Sequence, residues 1–191
     1  MKNINFKNLL PHLIAVVAFI VVTLAYLYPL LEGKVVYQGD ITNFTGMSKE
    51  LKDFREKTGE EALWTNSMFG GMPAYQISVL YPNNLVKYVG SALELGLPRP
   101  ANYLFLLMLG FYFLLIMLNV DWRLAIAGGF AFALASYSVI IIEAGHNSKI
   151  HAMAYMAPVI GSILLAYRGK LLLGSALTAL FLSLQISTNH L

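Results

Sequence analysis

The chain contains no cysteine, and only 12% of its 191 residues are Asp, Glu, Lys or Arg. Without cysteine there is no disulfide framework, no thiolate metal ligand and no cysteine nucleophile. The charge fraction is about half that of a soluble domain, which argues against an ordinary soluble enzyme. Intrinsic disorder needs the opposite bias, many charges and few apolar residues. Also absent are G-x-x-x-x-G-K, G-x-S-x-G and G-x-G-x-x-G. Gly70-Gly71 lacks the flanking strand and helix of a phosphate loop.

What is present is apolar: 58% of the residues are hydrophobic, and the mean hydropathy is +0.64. A core of this length cannot bury so much, because most residues of a small domain lie near its surface. The lipid bilayer is therefore the expected partner. A net charge of +3 raises nucleic acid as a second partner. The basic residues, however, are scattered over the boundaries of apolar runs rather than patterned, and no nucleic-acid partner is expected.

A helix crosses the bilayer with about 20 apolar residues. Runs near that length occupy 13–31, 101–118, 124–142, 150–167 and 171–186. They predict an all-α, polytopic fold of about five spans. Gly128, Gly129, Ala131, Gly161 and Ser162 are the small residues expected where spans approach closely. The first run follows Lys2 and Lys7 but is too long for the apolar part of a signal peptide. No cleavage pattern follows it, which predicts an uncleaved anchor. Lys2, Lys7, Arg123, Arg168 and Lys170 would lie inside, against Lys149 in a short external loop, so the expected orientation is N-in/C-out. Residues 1–191 then form a single membrane domain, with an exoplasmic loop at 32–101 and a bundle of spans at 101–191. Leu191 follows an apolar run with no polar tail, so the chain is expected to be the N-terminal part of a longer protein.

The 32–101 loop is far longer than a connector requires. Met47, Leu51 and Phe54 at i, i+4, i+7 predict a short amphipathic helix, with Lys49/Asp53 and Asp53/Lys57 on its other side and Gly59 as its stop. Thr58-Gly59-Glu60-Glu61 reads as a capping box ahead of Ala62, Leu63 and Trp64. Leu85, Val86, Val89, Ala92 and Leu93 predict a second surface helix. Between them, Gly70, Gly71 and Pro73 force an irregular turn. The loop is either an interfacial collar, with Trp64, Tyr75 and Tyr81 at headgroup level, or the roof of a cavity.

Few polar residues are candidates for chemistry. Asp40, in Gln38-Gly39-Asp40-Ile41, is either a desolvated base or a turn aspartate. Glu143, His146, Asn147, Lys149 and His151 fall within nine residues between two runs, where ionisable groups are often functional. Lys149 and His146 suit a phosphate, whereas the plainer reading is a solvated turn with a helix cap. A divalent metal here is a further alternative, although the spacing matches no ligand motif and no metal is expected. Asn189 and His190 form a weaker polar group at the chain's end.

Four strings, Gln38-Gly39-Asp40-Ile41, Trp64 to Pro73, Glu143 to Lys149 and Asn189-His190-Leu191, together resemble the N-terminal portion of the bacterial YfhO-like membrane proteins. The resemblance implies a polytopic fold of the GT-C glycosyltransferase type in the cytoplasmic membrane, with the active face outward. It implies a polyprenyl-phosphate-linked sugar as donor and a cell-envelope polymer such as teichoic acid as acceptor. Transferred by position, Asp40 takes the catalytic place. Lys149, His146, Asn147, Glu143, Trp64, Asn189 and His190 are the expected substrate-binding residues. Asp40-Ile41-Thr42 departs from an Asp-x-Asp pair. Residues 1–191 alone are expected to be inactive. The alternative to an enzyme is a transporter or flippase component, or an envelope-assembly scaffold.

Overall fold

The structure, a computed structural model, describes residues 6–78, 80 and 83–190. Lys2, Tyr81 and Leu191 lie outside them. The described residues are mostly helical and divide into two compact units. One comprises the residues up to Val36 and from Leu85 onward, and the other is Tyr37–Asn84.

The larger unit is a helical bundle. Helix α1 (Phe6–Tyr26) is followed in the chain, within this unit, by α4 (Val86–Leu93), α5 (Ala101–Met117), α6 (Trp122–Ala133), α7 (Ser136–Ala144), α8 (Asn147–Tyr167) and α9 (Leu171–Ser187). Helix α5 is the centre: Ala101 to Met108 are all buried, and it packs on α1, α6 and α8. Ala15, Phe19 and Thr23, one face of α1 at a spacing of four, are the buried side of the first helix. Phe19 stacks edge-on against Tyr112 and Phe130 at 5.7 and 5.5 Å.

Close approach between α5 and α8 has an identifiable cause. Pro158 lies inside α8 and has no N–H to bond the carbonyl of Ala154 one turn earlier. That carbonyl faces Gly110 of α5, where an added Cβ would collide with it. Ser162 Oγ in turn donates to the Pro158 carbonyl at 2.8 Å. Gly161 takes a similar place against Phe113, and Gly129 against Met108 and Phe19.

Among the described residues two helices, α1 and α8, each 21 residues, are long and apolar enough to cross a membrane. Helices α6 and α7 reach that criterion only as a pair, bent by 48°. The run expected as one span over 124–142 is thus broken. After α6 ends, Ala135 adopts an extended ψ of 142°. Ser138 Oγ donates to the Phe132 carbonyl, and Ser138 N to the Ala135 carbonyl. A serine side chain that bonds the backbone in this way offers an alternative to helix continuation. Helices α5 and α9 are apolar but have 17 residues each.

The smaller unit contains α2 (Gly39–Met47), α3 (Lys49–Thr58) and a two-stranded antiparallel hairpin, β1 (Trp64–Thr65) with β2 (Met72–Pro73). The loop helix expected around Met47, Leu51 and Phe54 is divided at Ser48; Leu51 is buried while Phe54 is exposed. Lys49 and Asp53 pair at 2.7 Å, as their spacing predicts. The expected capping box is instead a helix end. Gly59, at φ 76°, closes α3 by donating its N–H to the Arg55 carbonyl, and Thr58 Oγ1 accepts from Glu60 N. Arg55 then grips Glu61 through two bonds of 2.6 and 2.7 Å. The chain therefore continues extended into β1 rather than into another helix.

Candidate functional site in the helical bundle

A polar cleft of about 360 Å³ opens in the bundle among the end of α4, the starts of α5 and α8, and the end of α9. Its centre is His151, in the second turn of α8. Glu94, the residue that closes α4, places Oε1 3.4 Å from His151 Nε2. The same nitrogen lies 3.1 Å from Tyr155 Oη, one turn further along α8. A carboxylate beside Nε2 favours the tautomer with its proton there. The side chains of Glu94 and His151 are only 19% and 21% exposed, so their interaction is less screened than a surface pair.

Two cations border this group. Arg99 sits over the Tyr103 ring at 6.0 Å, and that ring is 5.3 Å from the imidazole of His151. Lys87 of α4 lines the cleft with Ser91, Ser187 and Thr188. Asn147 and Ser148 bring the N-terminus of α8 to the same wall, where backbone N–H groups and the helix dipole favour an anion. The cleft thus combines fixed positive charge and hydroxyl donors with a carboxylate–imidazole–phenol group that can hold or move a proton.

A second cavity of about 420 Å³ is almost wholly apolar. Leu93, Leu106, Ala154, Pro158 and Phe181 line it, and Tyr155 lines both cavities. His12 and Tyr112 stand on its wall, with His12 Nδ1 2.8 Å from Tyr112 Oη.

The residues expected from the sequence are dispersed over several places. Asn147 lines the polar cleft. Lys149 lies in the first turn of α8, with its ammonium 5.2 Å from the centroid of the Tyr137 ring. Glu143 borders a small apolar pocket of about 180 Å³ with Tyr26, Leu104 and Ile142. Helix α7 ends at Ala144, and Gly145 is left-handed at φ 94°. Glu143 and His146 therefore lie on either side of a turn rather than on one continued helix face. His146 is the exposed residue ahead of α8, and its carbonyl accepts from Ile150 N. Asn189, at φ 58°, and His190 are exposed beyond α9, whereas Ser187 and Thr188 reach the cleft.

Asp40 and Trp64 belong to the smaller unit. Asp40 is exposed in the first turn of α2, where a carboxylate complements the helix dipole. Trp64 stands in β1, its indole against Gly71, which has no room for a side chain. Among the described residues no group of three or more His, Asp or Glu is arranged to hold a metal ion.

Sequence reasoning missed Glu94, Arg99 and Lys87. The usable signal was His151 and Tyr155 at i, i+4 on one helix face, beneath a short amphipathic helix ending in an acid. No protein-family model, no curated protein and no solved structure matches the chain.

Proposed function

We propose that the chain is part of a membrane glycosyltransferase of GT-C type. It moves a sugar from a polyprenyl-phosphate donor to a cell-envelope polymer on the outer face of a bacterial cytoplasmic membrane. The resemblance carried by Asp40, Trp64 to Pro73 and Glu143 to Lys149 supports this reading. The structural observation behind it is Tyr155, which lines both a polar, cation-bearing cleft and an apolar cavity. That pairing suits a ligand with a charged head and a long hydrocarbon tail. In this reading five spans run N-in/C-out, with the 17-residue helices α5 and α9 as the shorter ones.

In this mechanism the Asp40 carboxylate accepts the proton of an acceptor hydroxyl as its oxygen attacks the anomeric carbon. The bond from that carbon to the phosphate oxygen breaks, and its electron pair leaves with the polyprenyl phosphate. The cleft of the larger unit holds Arg99 and Lys87, fixed positive charge of the kind that suits a phosphate. Lys149 and His146 stand at the α7–α8 turn.

The test is Asp40→Asn in the natural protein, assayed in membranes for transfer of labelled sugar from a polyprenyl-phosphate donor. Loss of a general base lowers the rate by roughly 10²–10⁴-fold. Wild-type rate at equal membrane abundance removes Asp40 from catalysis. Absence of transfer by the wild type with every polyprenyl-phosphate donor offered removes the enzyme reading.

A further inference from the structure

The smaller unit has two contrasting stretches. Residues 49–61 carry Lys49, Glu50, Lys52, Asp53, Arg55, Glu56, Lys57, Glu60 and Glu61, whereas residues 62–84 carry no Asp, Glu, Lys or Arg. The charged stretch is satisfied internally and by water: Lys49–Asp53 and Arg55–Glu61 pair on the exposed α3 and its end. The uncharged stretch does the opposite with its apolar groups. Leu63 is 85% exposed and Phe69 is 89% exposed, and the Trp64 and Tyr75 rings are also open.

This exposure is held in place. Gly71 N donates to the Met68 carbonyl at 2.8 Å, and Ala74 N to the Leu63 carbonyl at 3.0 Å. Glu50 of α3 accepts from Thr65 Oγ1, Asn66 N and Ser67 N, which fixes the base of the hairpin. At the tip, Phe69, Gly70 and Gly71 have φ of 50°, 75° and 121°. Positive φ suits glycine but is uncommon for a bulky side chain. A phenylalanine held there with its ring in the open, by a loop tied at its base, points to a role for the ring itself.

We propose that the 62–75 hairpin is a membrane-interface finger. Phe69 and Leu63 enter the headgroup boundary of the bilayer, with Trp64 and Tyr75 at its polar edge. Four features select a lipid surface as the occupant. The chain already carries helices long enough to span a bilayer. The tip has no charge to desolvate, its rings are of the kinds that settle at the interface, and the charges of α3 are exposed and paired among themselves or with Glu61. Interfacial apolar groups reach roughly 5–10 Å into this boundary.

The absence of cysteine makes a direct test possible. Phe69→Cys, Leu63→Cys and, as a water-facing control, Lys57→Cys are each labelled with an environment-sensitive fluorophore. The chain is placed in nanodiscs of equal phosphatidylcholine and phosphatidylglycerol. The finger predicts that labels at 69 and 63 are quenched by a nitroxide on shallow lipid positions. It also predicts that they are shielded from aqueous iodide severalfold relative to the label at 57. A label at 69 as open to iodide as the one at 57, and insensitive to lipid nitroxide, overturns the proposal. Shielding from iodide without lipid quenching shows that protein covers the tip and overturns it equally. The two tryptophans give a second measurement with the tip intact. In a Trp122→Phe background, Trp64 emission is expected to respond to lipid nitroxide, and indifference counts against the finger.

Discussion

Glu50 shows how much of the smaller unit depends on one side chain. Its carboxylate is held below the usual carboxylate range, chiefly by the Thr65 hydroxyl and then by the Ser67 N–H. A depressed folded pKa means that the contribution to stability is fully present above the ordinary carboxylate value. It is lost as the pH falls through the lower, folded value. The hairpin is therefore firm at neutral pH and loosens only in acid. Glu50→Gln removes the charge-assisted bonds but keeps the shape. Amide exchange at Asn66 and Ser67 is expected to quicken on the order of tenfold, the scale of a lost charged hydrogen bond. Exchange at Lys52 to Glu56, on α3 itself, should change little. Equal acceleration on α3 would mean that Glu50 stabilises the helix rather than the hairpin.

At the scale of elements, the bundle rests on a few close contacts that a hydropathy profile cannot see. Gly110 admits the Ala154 carbonyl that Pro158 leaves without a helix partner. Gly110→Ala forces a methyl group into that carbonyl, and overpacking of this kind costs typically 1–3 kcal/mol. Gly46 in α2 has open space around its Cβ position and an ordinary φ. Gly46→Ala is therefore expected to be neutral or slightly stabilising. Thermal unfolding in detergent, monitored by circular dichroism, should separate the two, with Gly110→Ala alone lowering the midpoint. The same contrast explains what was legible in the sequence. Apolar runs revealed the helices, and Gly59 and the Lys49/Asp53 spacing revealed where α3 ends and how it pairs. The break between α6 and α7 was not visible, because Ser138 acts through two backbone carbonyls while the surrounding window stays apolar. Thr58-Gly59-Glu60-Glu61 was misread because the start and stop signals of a helix share residue types, and only Gly59's left-handed φ decides between them. The cleft was legible only at Asn147 and His151, both in the polar stretch between two apolar runs. Glu94 and His151 are far apart in sequence, and their pairing exists only once the end of α4 reaches the start of α8.

For the whole molecule the open quantity is which end of each helix faces which side of the membrane. Helix α8 is the firmest constraint, because its 21 residues, apolar on average, give about 32 Å of helix, enough to cross the hydrocarbon core. If it crosses, the α7–α8 turn and the α8–α9 turn lie on opposite sides. The proposed orientation places Arg168 and Lys170, at the second turn, on the cytoplasmic side, as the excess of Lys and Arg in cytoplasmic loops leads one to expect. Helix α9 then returns outward, although at 17 residues it covers only about 26 Å and needs some local thinning of the bilayer. The orientation therefore makes a claim about three exposed positions. In the cysteine-free chain, Thr58→Cys and His190→Cys should react with a membrane-impermeant maleimide added to intact cells, and Lys170→Cys only after the membrane is opened. Labelling of Lys170→Cys from outside inverts the arrangement. Protection of His190→Cys until the membrane is opened, together with Lys170→Cys, shows that α9 lies along the surface instead of crossing. Because the polar cleft draws on the first turns of α8 and the end of α9, that second result would also leave it without an outer wall facing the exoplasmic side. The topology experiment thus decides whether the cleft can serve a reaction on the outer face at all.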